Sequence, residues 1–268
     1  MDSIEFARRI RERAVRMVSH ANASHIGTCL SMADLLAALY TRILRVDPSQ
    51  PAWPERDRFI LSKGHGAAIL YAALAERGFF DACLLDGYCD DGSLLTGHIS
   101  HKLPGVEVST GSLGHGLPIG CGMALAARRG ALAWKTFVLL SDGELDEGSN
   151  WEPILFAGHH QLDQLVAVVD HNKIQSFGSV KDVLDLEPLR AKWEAFRWEV
   201  REVDGHDHRA LEEALGSTPW SPGKPSVLIA HTTKGKGVDY MENELAWHYR
   251  SPRGELLERA LAQLAPPA

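Results

Sequence analysis

Two short apolar runs, each closed by polar turn residues, set the rhythm at the centre of the chain. Val138, Leu139 and Leu140 lead into Ser141-Asp142-Gly143-Glu144, and Leu165 to Val169 lead into Asp170-His171-Asn172-Lys173. Runs of that length without polar alternation predict strands buried on both faces of a parallel sheet. Between them Trp151 to Gln161 has helical spacing, with Ile154, Leu155 and Phe156 on the apolar side, so the unit reads as a βαβ crossover. Upstream, Ile4, Ala7, Ile10, Ala14, Val15 and Val18 recur at three and four residues and predict an amphipathic helix over Ile4 to Ala21. A second helix is expected from Ser31, with its hydroxyl as the cap, through Leu35, Leu36, Leu39 and Tyr40.

The same pattern extends along the rest of the chain. Arg58 to Leu61 reads as a strand followed by a helix to about Arg77, and Leu117 to Arg128 as a helix that is small and apolar almost all round, as buried helices are. Lys181 to Phe196 supplies a polar turn and a helix. Val200 to Val203 and Ser226 to Ala230 are further strands, the first leading through Val203-Asp204-Gly205-His206-Asp207 into a capped helix with Leu211 and Leu215. Strands alternating with helices predict an α/β fold, a parallel sheet flanked by helices on both faces, formed by residues 1–268 as one domain.

Composition narrows the function classes. The chain has 268 residues, 45% of them hydrophobic, enough for one good core. A formal charge of −7 and the lack of a long basic run argue against nucleic acid as a partner. Cys29, Cys83, Cys89 and Cys121 have neither metal-ligand nor redox-pair spacing, so they read as buried thiols in a reducing compartment. No apolar run approaches a membrane span, and the N-terminus is charged and helical, so a cytoplasmic protein with no membrane contact is expected.

The candidate chemistry lies at the ends of the strands, where parallel sheets bind ligands. Asp142 and Asn172 stand thirty residues apart, each on the turn after its strand, and so come to one edge. A carboxylate, an amide oxygen and a nearby backbone carbonyl make a hard oxygen site suited to magnesium, which completes its octahedron with water and phosphate oxygens. Ser62-Lys63-Gly64-His65-Gly66 places a glycine-flanked histidine at a strand-to-helix turn, where it is either a phosphate contact or a helix cap. His25 and His98 sit in loops of small and polar residues. Thr232-Thr233-Lys234-Gly235-Lys236-Gly237 resembles a phosphate loop without the full spacing of a nucleotide P-loop.

These segments, in this order, resemble transketolases. The Asp142-to-Asn172 stretch is similar to the thiamine diphosphate signature in its transketolase form, with Ser141 in place of the first glycine and His171 in place of a common asparagine. Ser24 to Gly27, Ser62 to His65 and Gly105-Val106-Glu107-Val108-Ser109-Thr110-Gly111-Ser112-Leu113-Gly114-His115-Gly116 match further motifs, and His248 follows Lys234 by the fourteen residues that transketolases share. The resemblance covers the chain to about Pro252. It implies that Asp142, Asn172 and the carbonyl of Ile174 hold magnesium. His65, Gly111, Leu113, Gly143, Glu144, Asn172, Lys234 and His248 would bind thiamine diphosphate, Gly111 through its carbonyl to the aminopyrimidine amine and Leu113 as the wedge that bends the cofactor. His25, His65, His98 and His248 would be catalytic, in proton transfer with sugar oxygens. Where many members carry Gly-His-Pro twice, this chain has Ser24-His25-Ile26 and Gly97-His98-Ile99, a difference that bears on substrate preference.

The resemblance also implies a partner. Fused transketolases continue into a pyrimidine domain, which carries the glutamate that activates the cofactor, whereas this chain ends near Pro266. It is therefore expected to be the N-terminal subunit of a split transketolase, inactive without a second chain that brings the pyrimidine domain. The expected assembly is a heterotetramer with two copies of each chain, transferring a two-carbon ketol unit from a ketose or ketose phosphate to an aldose or aldose phosphate. Leu117 to Ala127, almost free of charge, suits either a subunit contact or burial under its own sheet. Two other readings remain at this point. One is a different thiamine diphosphate enzyme, similar to deoxyxylulose-phosphate synthase or to the alpha subunit of a 2-oxo-acid dehydrogenase. The other is a cofactor-binding scaffold without catalysis.

Overall fold

The structure is a computed structural model and describes residues 1–266. The last two residues, on which the expected chain end falls, lie outside the described residues. Five strands, β1 (Arg58–Leu61), β2 (Thr136–Ser141), β3 (Leu165–His171), β4 (Glu199–Asp204) and β5 (Ser226–His231), form one sheet. Its order is β1-β2-β3-β5-β4 and every pairing is parallel. The helices are α1 (Ser3–Ala21), α2 (Ile26–Ser31), α3 (Ala33–Ala38), α4 (Ala67–Arg77), α5 (Gly116–Arg129), α6 (Gly148–His159), α7 (Val180–Val183), α8 (Leu189–Ala195), α9 (His208–Gly216) and α10 (Glu255–Leu264).

Alternation along the strands divides the core in two. Phe137, Leu139, Val166, Val168 and Leu228 pack on the side of α1, α3, α4 and α9. Val138, Leu140, Ala167, Val169 and Ile229 pack on the opposite side with α5, α6 and α8. Helices therefore cover both faces, as the uninterrupted apolar runs predict. All strands being parallel, the turns after β1, β2, β3 and β5 open on one edge, and these turns carry His65, Asp142, Asn172 and Lys234. Among the described residues no helix is long and apolar enough to cross a membrane.

Three expectations need correction. Ser31 does not cap a helix: α2 begins at Ile26, α3 follows from Ala33, and the fully buried Ser31 hydroxyl donates to Asp170 Oδ2 at 2.6 Å. Ser31 is the last residue of α2 and Met32 stands before α3, so its hydroxyl meets no free helix N-terminus and is left to donate to the buried carboxylate. On α6, Ile154 is buried, but Leu155 and Phe156 are 58% and 40% exposed, so only part of the expected apolar face meets the sheet. The α5 helix turns Leu117, Gly120, Cys121, Ala124 and Ala127 inward and leaves Ile119 and Gly122 exposed, so burial under its own sheet accounts for one face alone. The α10 helix, with Leu257, Ala260, Leu261 and Leu264 at helical spacing, was legible in the sequence but lies past the motifs and forms no part of the expectation.

Candidate active site

Four histidines from four separate segments converge. The His25 ring lies 5.1 Å from that of His65, 5.1 Å from that of His248 and 6.1 Å from that of His98, measured between centroids. His25 stands directly before α2 with φ at 75°, a left-handed conformation uncommon for a residue with a Cβ, and its N–H donates to the His248 carbonyl at 2.8 Å. His65 lies in a short 3-10 turn between β1 and α4. The four line one cavity of about 230 Å³ together with Thr28, Gly111, Leu113, Gly143, Asn172 and Lys234. Gln175 and Ser176, which no sequence motif singles out, also line it.

The electrostatics favour neutral imidazoles. Burial pushes His25 down to about 4, aided by His98 and Lys234. It pushes His248 to about 3, with Lys234 and His25 adding repulsion. Burial also holds His65 well below the ordinary range, with Lys63 and its neighbouring histidines beside it. Each of these three can therefore donate from one ring nitrogen and accept at the other near neutral pH.

Asn172 and Ile174, which line the same cavity, and the buried Asp142 carry the oxygens expected to hold a metal. Asp142 is buried; its Oδ1 accepts from the Gly143 amide at 2.7 Å and its Oδ2 from the Lys173 amide. Burial raises this carboxyl to about 6, and the neighbouring Asp170 adds to the rise. Asn172 donates from Nδ2 to Asp170 Oδ2 at 3.2 Å and accepts at Oδ1 from the Ile174 amide at 3.1 Å. The Ile174 carbonyl accepts from the Lys234 ammonium at 2.7 Å. Among the described residues no three His, Cys, Asp or Glu side chains gather as a metal cluster, so an ion here must use amide and carbonyl oxygens beside the one carboxylate. The residues fit magnesium on two counts: all three donors are hard oxygens, and a cationic ammonium already rests on one of them. Above this turn, a Cβ on Gly143 would come within 2.7 Å of the Gln175 Cβ, so only glycine leaves the turn open at this point.

The pair Lys63 and Asp170 underlies the site and is absent from the sequence expectations. Both side chains are fully buried and joined in an ion pair. Asp170 also receives the Ser31, Thr232 and Asn172 side chains, and Lys63 donates to Thr28 Oγ1 at 2.9 Å. A carboxylate closing an otherwise apolar strand was the available signal. Glu144 differs from its expected role. Its carboxylate is buried away from the cavity and accepts from Ser62 Oγ at 2.5 Å and from the Gly114 amide at 2.9 Å, so it ties two loops together.

The last loop is held tightly. Lys234 is 1% exposed, and burial pushes it down to about 8; its ammonium also donates to His248 Nδ1 at 3.1 Å. Gly235 follows at φ 81°, and a Cβ there would lie 2.2 Å from the Met241 carbonyl oxygen, so glycine is required beside the lysine.

A family profile described as transketolase, thiamine diphosphate binding domain, matches residues 3–255. The chain is 43% identical over 255 residues to an apulose-4-phosphate transketolase subunit of Phocaeicola vulgatus, covering 95% of this chain and 91% of that protein. It is 41% identical over 256 residues to the 6-deoxy-6-sulfo-D-fructose transketolase subunit of a Clostridium species, covering 95% and 93%. The crystal structure of transketolase from Campylobacter jejuni superposes with a TM-score of 0.92 at 32% identity, covering 98% of this chain. The chain spans only 42% of that longer protein.

Proposed function

The chain belongs to the transketolase thiamine diphosphate-binding family, and from that membership we propose that it is the diphosphate-holding subunit of a two-chain transketolase. In this reading residues 1–268 form one diphosphate domain, and a second chain supplies the pyrimidine domain with its glutamate. Together they move a two-carbon ketol unit from a ketose to an aldose. The relatives' names include a phosphorylated sugar and a sulfonated one, so the substrate class is a sugar bearing an anionic group. The four cysteines are free thiols; Cys29 and Cys121 are buried as expected, whereas Cys83 and Cys89 are exposed, and unpaired exposed thiols suit a reducing cytoplasm.

The observation that carries the reading is the convergence on one cavity: four histidines line it together with Asn172, Ile174 and Lys234, and the Lys234 ammonium bridges the Ile174 carbonyl and His248. Asp142, Asn172 and the Ile174 carbonyl would hold magnesium, while Gly111, Leu113, Gly143, Lys234, His65 and His248 would hold thiamine diphosphate, which supplies a stabilised carbanion when bound. His25, His65, His98 and His248 would hydrogen-bond sugar oxygens and move protons at their ring nitrogens. Calorimetry with thiamine diphosphate and magnesium, followed by a ketol-transfer assay with and without the partner chain, tests the reading. Magnesium-dependent binding, and transfer only in the mixture, are expected. Absence of binding in the mixture would overturn it.

A further inference from the structure

A buried cluster behind the Lys234 loop takes no part in the cavity itself. Asp34 on α3 is 4% exposed and receives donors from three directions. Arg11 of α1 donates from Nη1 to Oδ1 at 2.8 Å and from Nη2 to Oδ2 at 2.5 Å. His206 Nδ1 lies 2.7 Å from Oδ2, and His208 Nε2 lies 3.0 Å from Oδ1. Burial alone would raise this carboxyl, yet Arg11 and the two imidazoles outweigh it and hold Asp34 well below the usual carboxylate range.

The far side of His206 meets the site loop. The Thr233 amide donates to His206 Nε2 at 2.8 Å. A backbone amide can only donate, so Nε2 is the acceptor and Nδ1 carries the hydrogen that Asp34 accepts. The tautomer is thus fixed from both ends, and the carboxylate on Nδ1–H makes Nε2 a better acceptor. The residue after Thr233 is Lys234, whose ammonium bridges the Ile174 carbonyl and His248. Neighbouring anchors hold the loop elsewhere: Thr232 on Asp170, and the Gly235 amide on the Gly27 carbonyl at 2.9 Å.

We propose that His206 is a positioning residue: gripped by Asp34, it holds the Thr233 amide and so sets the Lys234 ammonium between the Ile174 carbonyl and the His248 ring. The proposal rests on reading the cavity as a thiamine diphosphate site. It gives a role to the Asp204-Gly205-His206-Asp207 turn, which the sequence shows only as a connection between a strand and a helix.

Two near-isosteric variants separate the two bonds of His206. Asparagine carries polar atoms at the reach of imidazole Nδ1, and glutamine at the reach of Nε2. His206→Asn therefore keeps a donor toward Asp34 and loses the acceptor for Thr233, whereas His206→Gln keeps that acceptor. Hydrogen exchange by mass spectrometry on the full chain without cofactor reads residues 232–236 directly. Loss of one such bond predicts exchange about tenfold faster in His206→Asn and within about twofold of the parent in His206→Gln. In the mixture with the partner chain, calorimetric affinity for thiamine diphosphate with magnesium should fall about tenfold in His206→Asn and recover in His206→Gln. Unchanged exchange in His206→Asn overturns the proposal. Equal loss of affinity and of melting temperature in both variants overturns it too, since His206 would then serve packing alone. If the parent chain mixed with its partner chain binds no thiamine diphosphate, the reading of the cavity falls, while the exchange comparison still decides whether His206 holds the loop.

Discussion

The ammonium of Lys234 lies 2.7 Å from the carbonyl oxygen of Ile174, a protein cation seated on a backbone oxygen at the carboxyl edge of the sheet. That carbonyl is turned toward the cavity, and with Asp142 and Asn172 it forms the proposed magnesium site. Asp142→Ala and Asn172→Ala should each weaken magnesium-dependent thiamine diphosphate binding by at least about a hundredfold, the upper end of the effect of losing even an outer-shell partner. Both residues sit on edge turns, so circular dichroism should show the secondary structure retained. Calorimetry finding parental affinity in both variants would remove the metal assignment.

His25 and His98 face the cavity without touching Asp142, Asn172 or Ile174 in the hydrogen-bond network. Replacing either by alanine should lower kcat of the assembled enzyme by roughly 10²–10⁴-fold, the range for a general acid or base, with a far smaller change in cofactor affinity. Steady-state kinetics and calorimetry on the same variants check this. Parallel losses in both quantities would make the two histidines supports for the cofactor.

How far this site could be read from sequence depends on the distance of each partner along the chain. His25, His65, His98, Asp142, Asn172, Lys234 and His248 lie within short motifs, where glycines and turn residues mark the approach of a ligand, and the fold brings all but the buried Asp142 to the cavity wall. The strands were legible because β2, β3 and β5 are apolar on both faces. The supporting contacts were not legible. Lys63 meets Asp170 across 107 residues and Asp34 meets His206 across 172, and no local period encodes such pairings. Ser31 illustrates the opposite failure, because the local rule for helix capping takes as a loop the stretch where α2 already runs from Ile26 to Ser31.

The buried histidines carry a pH signature. Folding lowers His25 from 6.5 to about 4, so between those values the unfolded chain binds the proton first and stability falls as pH drops. The contribution is complete above the unfolded value and is lost progressively toward the folded one. Asp142, raised to about 6, works in the opposite sense, so the comparison is with His25→Gln, in which only the His25 titration is missing. Between about pH 7.5 and 5 the parent should lose on the order of 1–2 kcal/mol more stability than His25→Gln. Urea unfolding at the two pH values measures it; equal losses would show that His25 is not held neutral.

Lys63 and Asp170 are fully buried, so removing one charge leaves the other without solvent or counterion. Lys63→Met should destabilise the chain by about 3–5 kcal/mol. The double variant Lys63→Met with Asp170→Asn should recover part of that loss, because the neutral amide needs no cation and its one oxygen still accepts from one of the two hydroxyls, Ser31 on the Oδ2 side or Thr232 on the Oδ1 side. Urea denaturation of the four proteins in the cycle tests the coupling. A single variant within about 1 kcal/mol of the parent would show that water reaches the pair.

The last prediction concerns assembly. Ile119 on α5 and Leu155 and Phe156 on α6 expose large apolar side chains, and α5 packs beside α6, so the exposed residues belong to neighbouring helices on one side of the sheet. Exposed apolar surface of this kind marks contact sites on folded proteins. A two-chain transketolase whose cavity is completed by a pyrimidine domain needs two copies of each chain to build two sites, with obligate interfaces that commonly bury about 2,000 Å² or more. Light scattering on the mixture should therefore give a heterotetramer, with ketol transfer and tight cofactor binding gained together. Leu155→Glu and Phe156→Glu add a charge to the exposed face without entering the core, so they should weaken association at least about tenfold and leave the melting temperature of the free chain nearly unchanged. Parental association in both variants would place the subunit contact elsewhere. Normal ketol transfer by the lone chain would refute the two-chain reading itself.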